Sequence, residues 1–217
     1  MTPYTLTLTE LNLINDFDGK SSDYWNNHKD KLKPLRNNLR QHYLPQQGNR
    51  CCYCTVYKPE NHGLTWDIEH IVSRCDYPNF MFSGENLSIS CKDCNQHKAE
   101  KNVFKSNKKY TRLPKSKNSY IIIHPHFDKY SEHMEVKQTP NGYLLHYPKS
   151  QKGIDTFNLC NLIRFSMVAN DRGSLDNELF VRFSDLIDKI PQIDSSMAKA
   201  FFMSALPQSL PHTEVDI

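Results

Sequence analysis

Trp66-Asp67-Ile68-Glu69-His70-Ile71 is the stretch on which the reading of this chain turns. From Leu64 to Val72 apolar, β-branched and aromatic residues alternate with polar ones, the period-two pattern of a strand. Upstream lies Cys51-Cys52-Tyr53-Cys54. Downstream lies Cys91-Lys92-Asp93-Cys94, followed at once by Asn95-Gln96-His97-Lys98. Two C-x-x-C pairs supply four thiolates, the tetrahedral set that structural zinc prefers. Cys51, Cys54, Cys91 and Cys94 are therefore the expected zinc ligands. The gap between the pairs, residues 55–90, is longer than in a simple zinc ribbon. A metal there would pin together the two ends of the segment that carries the acid-histidine step. Cys52 has the wrong spacing for a ligand and reads as a small buried residue, with Cys75 and Cys160 as buried thiols.

The chain of 217 residues and 25.4 kDa, 38% hydrophobic and 24% charged, suits one catalytic domain with embellishments or two small packed units. The N-terminus lacks a basic-then-apolar leader, and no apolar run approaches the roughly 20 residues that a membrane helix needs. Seven cysteines, four of them in C-x-x-C pairs, fit a zinc site in a reducing cytoplasm better than a secreted disulfide framework. The net charge of +3 says little, but its distribution says more. Lys92, Lys98, Lys101, Lys105, Lys108, Lys109, Arg112, Lys115 and Lys117 face only Asp93 and Glu100 across that segment. A basic stripe beside a metal site favours a polyanion, and a solvated lysine-rich loop is the plain alternative.

The fold class expected is α+β, in four stretches. Residues 1–50 read as helical. Leu8, Leu11 and Leu13 or Ile14 mark a short helix face. Ser22 or Asp23 could cap a helix carrying Trp25, His28 or Lys29, and Leu32. Pro34 opens a helix with Leu35, Leu39 and Tyr43 on one side, closed by Pro45 and Gly48. Residues 51–104 hold the motifs: a tight cysteine knuckle, the strand, a loop over Pro78 to Glu85, a short strand at Asn86 to Ser90, and a helix from Asp93 to Phe104. Residues 105–150 read as a basic linker, an apolar strand from Ser119 to His124, and a hairpin around Pro140-Asn141-Gly142. Residues 151–217 return to helix, with amphipathic stripes at Leu175, Leu179, Phe183 and Ile190 and again at Met197 and Phe201.

Metal-assisted phosphodiester hydrolysis needs a base for water, a divalent cation for the developing charge, and ligands that hold it without neutralising it. His70 suits the base. Asn95 offers a neutral amide oxygen suited to Mg2+ or Mn2+. Residues 69 and 70 point to opposite faces of a strand, so the strand must end or bulge if both serve one site.

In the order C-x-x-C, acid-His-Ile, Asn-Leu, C-x-x-C-Asn-x-x-Lys, residues 51–102 resemble the HNH endonucleases. The resemblance implies a zinc-pinned ββα-metal core, here with flanking helices and a small β-hairpin. It implies His70 as general base, Glu69 (where aspartate is commoner) and Asn95 as ligands of a catalytic Mg2+ or Mn2+, Asn86 as the residue that orients the histidine or the loop, and Lys98 as a phosphate contact. Asp67 is a candidate supporting acid. Lys92, Lys101, Lys105, Lys108 and Lys109 would track the nucleic-acid backbone. Ile121-Ile122-Ile123-His124-Pro125-His126-Phe127-Asp128, with Glu132-His133, is similar to the C-terminal part of retron-associated HNH proteins and of the nuclease subunit of Septu-type anti-phage systems. That implies a cytoplasmic defence effector acting on DNA, with RNA left open, beside an ABC-type ATPase and a retron reverse transcriptase complex. His124, His126 and His133 read as structural, and His97 as facing phosphate or solvent. The alternative is a zinc-dependent nucleic-acid-binding or scaffold subunit that does not cleave.

Overall fold

The computed structural model describes residues 1–138 and 142–166. The amphipathic stripes expected beyond residue 170, and Pro140-Asn141 of the hairpin corner, lie outside them. The chain divides into two compact units. The first comprises Met1–Glu135 and Pro148–Leu162. The described part of the second comprises residues 136–138, 142–147 and 163–166. The architecture is mixed α and β with two small two-stranded sheets. Among the described residues no helix is long and apolar enough to cross a membrane.

Three helices open the chain: α1 (Leu8–Leu13), α2 (Tyr24–Asn27) and α3 (Lys33–Gln46). The α1 helix forms where expected but turns the other way. Leu8 and Leu11 are 81% and 47% exposed while Glu10 is 4% exposed. The reason is polar. Glu10 closes a capping box with Thr7 and takes hydrogen bonds from Tyr4 Oη at 2.7 Å and Asn38 Nδ2 at 2.8 Å, so its carboxylate is satisfied where it is buried. The helix expected from Ser22 onward stops at Asn27, and Leu32 becomes the buried residue that precedes α3.

α3 follows its pattern. Pro34 sits in the first turn, and Leu35, Leu39, Tyr43 and Leu44 are buried. Each fully buried leucine contributes about 1.5–3 kcal/mol. Pro45 does not end the helix but sits in its last turn. The end is a Schellman closure: Gly48, at φ +58, donates to Pro45 O, and Asn49 N donates to Leu44 O at 2.9 Å.

β1 (Trp66–His70) pairs antiparallel with β2 (Leu87–Cys91) in the register Trp66↔Cys91 to His70↔Leu87. Every residue of β2 is buried. Its outer edge is covered by Gln47, whose side chain donates to Ile89 O at 2.8 Å and accepts from Ile89 N at 2.9 Å. The amide thus stands in for a third strand. Between the strands the chain makes two short 3-10 turns, Pro78–Phe80 and Gly84–Asn86. β2 runs directly into α4 (Lys92–Lys98).

α4 is shorter than the expected helix from Asp93 to Phe104. Ala99 takes a left-handed φ of +47, after which Val103 and Phe104 are buried and Phe104 bridges to Tyr120. Continuing the helix would swing those two apolar side chains out of the core. The expected strand from Ser119 to His124 is likewise absent beyond that single bridge. Ile122 and Ile123 are buried one by one. The backbone donors of Ile123 and His124 are taken by Thr156 Oγ1 and Asp128 Oδ2, each at 2.8 Å, in place of a ladder. The chain continues through α5 (Tyr130–His133), β3 (Met134–Gln138), β4 (Leu144–Pro148) and α6 (Gln151–Leu159). β3 and β4 pair as the expected hairpin.

Asn86 is the pin of the loop between the strands. Fully buried, it accepts from Val72 N at 2.8 Å and donates to Val72 O and Phe80 O, both at 3.1 Å. Asn86→Ala leaves Val72 N and Val72 O without partners, while Phe80 O keeps its bond from Ser83 N, and should lower stability by about 2–4 kcal/mol. Asn86→Asp should lower it too, because a carboxylate cannot donate to the two carbonyls. Urea denaturation of the two variants measures this. Stabilities within about 0.5 kcal/mol of the parent would show that the loop stands without its pin.

Candidate functional site

The knuckle at Cys51–Cys54, the end of β2 and the first turn of α4 bring the four expected cysteines together. Cys51, Cys54, Cys91 and Cys94 are buried, and their sulfurs lie within 4.8 Å of one another. Cys54 Sγ and Cys91 Sγ are 3.7 Å apart. Four thiolates about 2.3 Å from a tetrahedral zinc stand about 3.8 Å apart, so the cluster has the dimensions to hold such an ion. Cys52 is not part of this set and is half-buried rather than buried; its sulfur bonds to the Cys51 thiol and accepts from Ser88 Oγ at 3.3 Å. Thr55, at φ +57, donates back to Cys51 O and closes the knuckle.

β1 ends at His70, so the strand terminates at the acid-histidine step. His70 packs edge-on against Trp25, with ring centroids 4.8 Å apart, and its Nε2 lies 3.2 Å from Met81 O. That contact assigns the proton to Nε2 and leaves Nδ1 as the acceptor. Burial, with the nearby charges of Arg74, Lys98 and Arg36, holds the imidazole down at about 3, so it is neutral at working pH.

Glu69 and Lys98 form a pair that the sequence did not disclose. Both are 1% exposed, and Lys98 Nζ is 2.7 Å from Glu69 Oε1. Lys98 also donates to His70 O at 3.1 Å. Tyr53, inside the cysteine knuckle, donates from its hydroxyl to the same Glu69 oxygen at 3.1 Å. Burial pushes the Glu69 carboxyl up, and Lys98 and Tyr53 oppose that. Lys98, expected on the phosphate, is instead an internal counter-ion. A lysine at the end of a short helix ordinarily reaches solvent; here the last turn of α4 lies against β1.

Asp67, two residues before Glu69, occupies the more open position, its side chain 25% exposed. It accepts from Asn95 Nδ2 at 2.8 Å and pairs with Lys92. Asp67, Glu69, His70 and Asn95 all line one cleft of about 660 Å³. Lys29, Lys33, Arg36, Arg40 and Arg74 line the same cleft. These cations were not anticipated, although the signal was present: 29, 33, 36 and 40 have the spacing of one helix face, beside the face of the buried 32, 35, 39 and 43.

Of the lysines expected to follow nucleic acid, Lys92 alone lines the cleft. Lys101 donates to Leu159 O at 3.2 Å, and Lys108 and Lys109 lie over the rings of Tyr110 and Tyr77. His97 faces Asn161, 3.4 Å away. His124 is buried and stacked on Phe127, His126 bonds to Leu87 O at 2.7 Å, and His133 contacts Ser150 at 2.7 Å.

No family model matches the sequence. Over 72 residues, 33% of this chain, it is 36% identical to Protein ea31 of Escherichia phage lambda, and the match covers 22% of that protein. The chain thus spans about a fifth of the length of the curated relative it matches. No solved structure matches.

Removing one partner of a buried ion pair strands the other charge. Lys98→Ala should therefore lower stability by about 3–5 kcal/mol. Thermal and urea unfolding measure it. A loss below about 0.5 kcal/mol, as expected for a solvated phosphate contact, would place Lys98 outside the core.

Proposed function

We propose that this chain is a metal-dependent endonuclease of the HNH type, built on a ββα-metal core of β1, β2 and α4 with zinc on the four cysteines. The observation that carries the reading is the cleft itself. It gathers a neutral histidine with an available Nδ1, two acids, an asparagine and a set of cations. His70 takes the proton from the attacking water at Nδ1, with its ring held by Met81 O and Trp25. Its low proton affinity reflects burial and the surrounding cations. A phosphate seated among them adds the opposing charge and raises His70 toward a useful range.

Oxygen donors for Mg2+ or Mn2+ are present in Asp67, Glu69 and Asn95, which suits a hard cation. Asp67 and Asn95 present theirs to the cleft, while Glu69 is shared with Lys98 and Tyr53. A divalent cation, when bound, supplies Lewis-acid stabilisation of charge on the phosphoryl and leaving oxygens. Asn86 fixes the loop that carries Met81 and so holds the imidazole at the mouth of the strand. The substrate proposed is DNA. The setting proposed is anti-phage defence beside an ABC-type ATPase and a retron reverse transcriptase complex, as the resemblance to Septu-type and retron-associated nucleases implies. One observation favours a non-cleaving binding module instead: Glu69 already has its counter-ion.

Plasmid cleavage with Mg2+ or Mn2+, by the chain alone and with its genomic neighbour, separates the two readings. His70→Ala should lower the rate at least ~100-fold, the usual contribution of a general base. A wild type that cuts no DNA or RNA faster than this variant under either condition would hand the function to the binding module. Metal analysis of the purified chain should find about one zinc per molecule, lost together with the folded state in Cys91→Ser. A folded, zinc-free parent would sink the structural-zinc assignment.

A further inference from the structure

Among the described residues the five cations of the cleft form no direct ion pair, and the carboxylate that acts on one of them, Asp67 on Arg40, is already bonded to Lys92. Asp67 is paired with Lys92 and Glu69 with Lys98. Among the described residues none of Lys29, Lys33, Arg36, Arg40 and Arg74 forms an ion pair. The partners of the arginines are neutral. Arg36 lies over the Trp25 ring, 4.4 Å from its centroid, and donates to Trp25 O, while its Nε is buried with no partner. Arg40 donates to Asn37 Oδ1 at 2.7 Å, and Arg74 donates to Ser22 O. Partial burial pulls the Arg36 guanidinium down, and the like charges of Arg40 and Arg74 add to this. Three guanidiniums close enough to repel, in a partly desolvated cleft, are an arrangement that an anion relieves.

The shape of the cluster narrows the anion. Lys33, Arg36 and Arg40 follow one face of α3, and at 1.5 Å per residue that face runs for about 10 Å. Lys29 extends it beyond the helix start. Arg36 lies over the Trp25 ring that packs edge-on against His70, and Arg74 lines the same cleft as His70. A single small anion would satisfy one or two of these groups and leave the rest repelling. A chain of phosphates meets all of them in turn. The lysine-rich segment at 101–117 lacks this organisation: none of it lines the cleft, and Lys101, Lys108, Lys109 and Lys115 are engaged by Leu159 O, aromatic rings and Glu85.

We infer that the wall formed by Lys29, Lys33, Arg36, Arg40 and Arg74 is a phosphodiester-backbone track leading to His70, and that the 101–117 segment is not. The inference rests on the nuclease reading for its direction and on the unpaired cations for its existence. Arg36 and Arg74 hold the phosphates nearest the imidazole; Lys29 and Lys33 hold those further along the strand.

The test uses the full chain carrying His70→Ala, so that the probe survives. A labelled DNA duplex of about 30 base pairs and a single-stranded RNA of the same sequence are titrated across a salt series. Arg40→Gln with Arg74→Gln should weaken binding at least ~10-fold at about 0.1 M salt. It should also flatten the slope of log K against log salt by about 1.8 on the duplex, near 0.9 for each phosphate no longer neutralised. Lys29→Gln with Lys33→Gln, both at exposed positions, should flatten it comparably without touching the core. The same flattening on duplex and RNA assigns the track to shared phosphates, and the tighter probe identifies the polymer. Lys105→Gln with Lys108→Gln and Lys109→Gln should change affinity less than about twofold. Full binding by both wall variants, with loss in this linker triple, overturns the inference. The wall substitutions placed in the His70 parent separate the two readings. Wall variants that bind and cut like that parent overturn the track and leave the nuclease. A parent that cuts nothing yet loses binding with the wall overturns the nuclease and leaves the track.

Discussion

Cys51 and Cys54 lie before the strand pair, while Cys91 closes β2 and Cys94 lies in the first turn of α4. Drawing their sulfurs together ties three local structures to one point. Because Trp66 pairs with Cys91, the clip also sets where β1 begins, and the register then carries His70 to the far end of the sheet beside Leu87. Tyr53 extends the constraint inward, reaching from the knuckle to Glu69. The acid-histidine step is therefore held from both ends: by the sulfurs at one, by Asn86 and its loop at the other. A two-stranded sheet of five-residue strands would not be stable alone. Here the clip, the packed face of α3 and the Gln47 amide supply what further strands would.

Charge is sorted around that frame. On the β1 side each carboxylate has a lysine of its own, Lys92 for Asp67 and Lys98 for Glu69. The two pairs differ in kind. The Asp67 pair is solvated and of small energetic weight, easily opened by a ligand. The Glu69 pair is dry, and either partner left alone would be an uncompensated buried charge. Acid chemistry in the cleft thus has an adaptable front in Asp67 and Asn95 and a fixed back in Glu69. The carboxylate of Glu69 reaches Tyr53 and Lys98 through the same oxygen.

Local patterns were legible in the sequence where local physics decides the outcome. The alternation around Trp66, the Leu35, Leu39 and Tyr43 spacing, the Pro34 start, the Gly48 stop and the cysteine spacing all read correctly. What could not be read depends on neighbours distant in sequence. Glu10 is inside because Tyr4 and Asn38 come to it. α4 stops at Ala99 because Val103 and Phe104 are needed under Tyr120. The run from Ser119 to His124 has the composition of a strand, but Thr156 and Asp128 take the donors of Ile123 and His124. Lys98 carried the expectation of a phosphate contact and is instead in the core, paired with Glu69. The 29, 33, 36 and 40 spacing was visible, but the same spacing serves any solvated helix face. Only the placement of β1 beside α3 makes it part of a cleft.

α3 shows why such a wall persists. Its leucines and Tyr43 are packed as a stable helix requires, whereas its other face gathers cations that repel and, at Arg36, leave a buried donor unpaired. Placing a glutamate among them would raise stability at once. Without one, the free protein sits below the stability its own helix could reach, a common feature of surfaces shaped for a ligand. An anion bound to the folded chain, as the proposed track requires, would recover that deficit, because a ligand that prefers the folded state stabilises it by mass action. Affinity for a polyanion and stability of the free protein are thus opposed at the same residues. The apolar face of α3 and the sulfur clip are what allow the fold to carry that opposition.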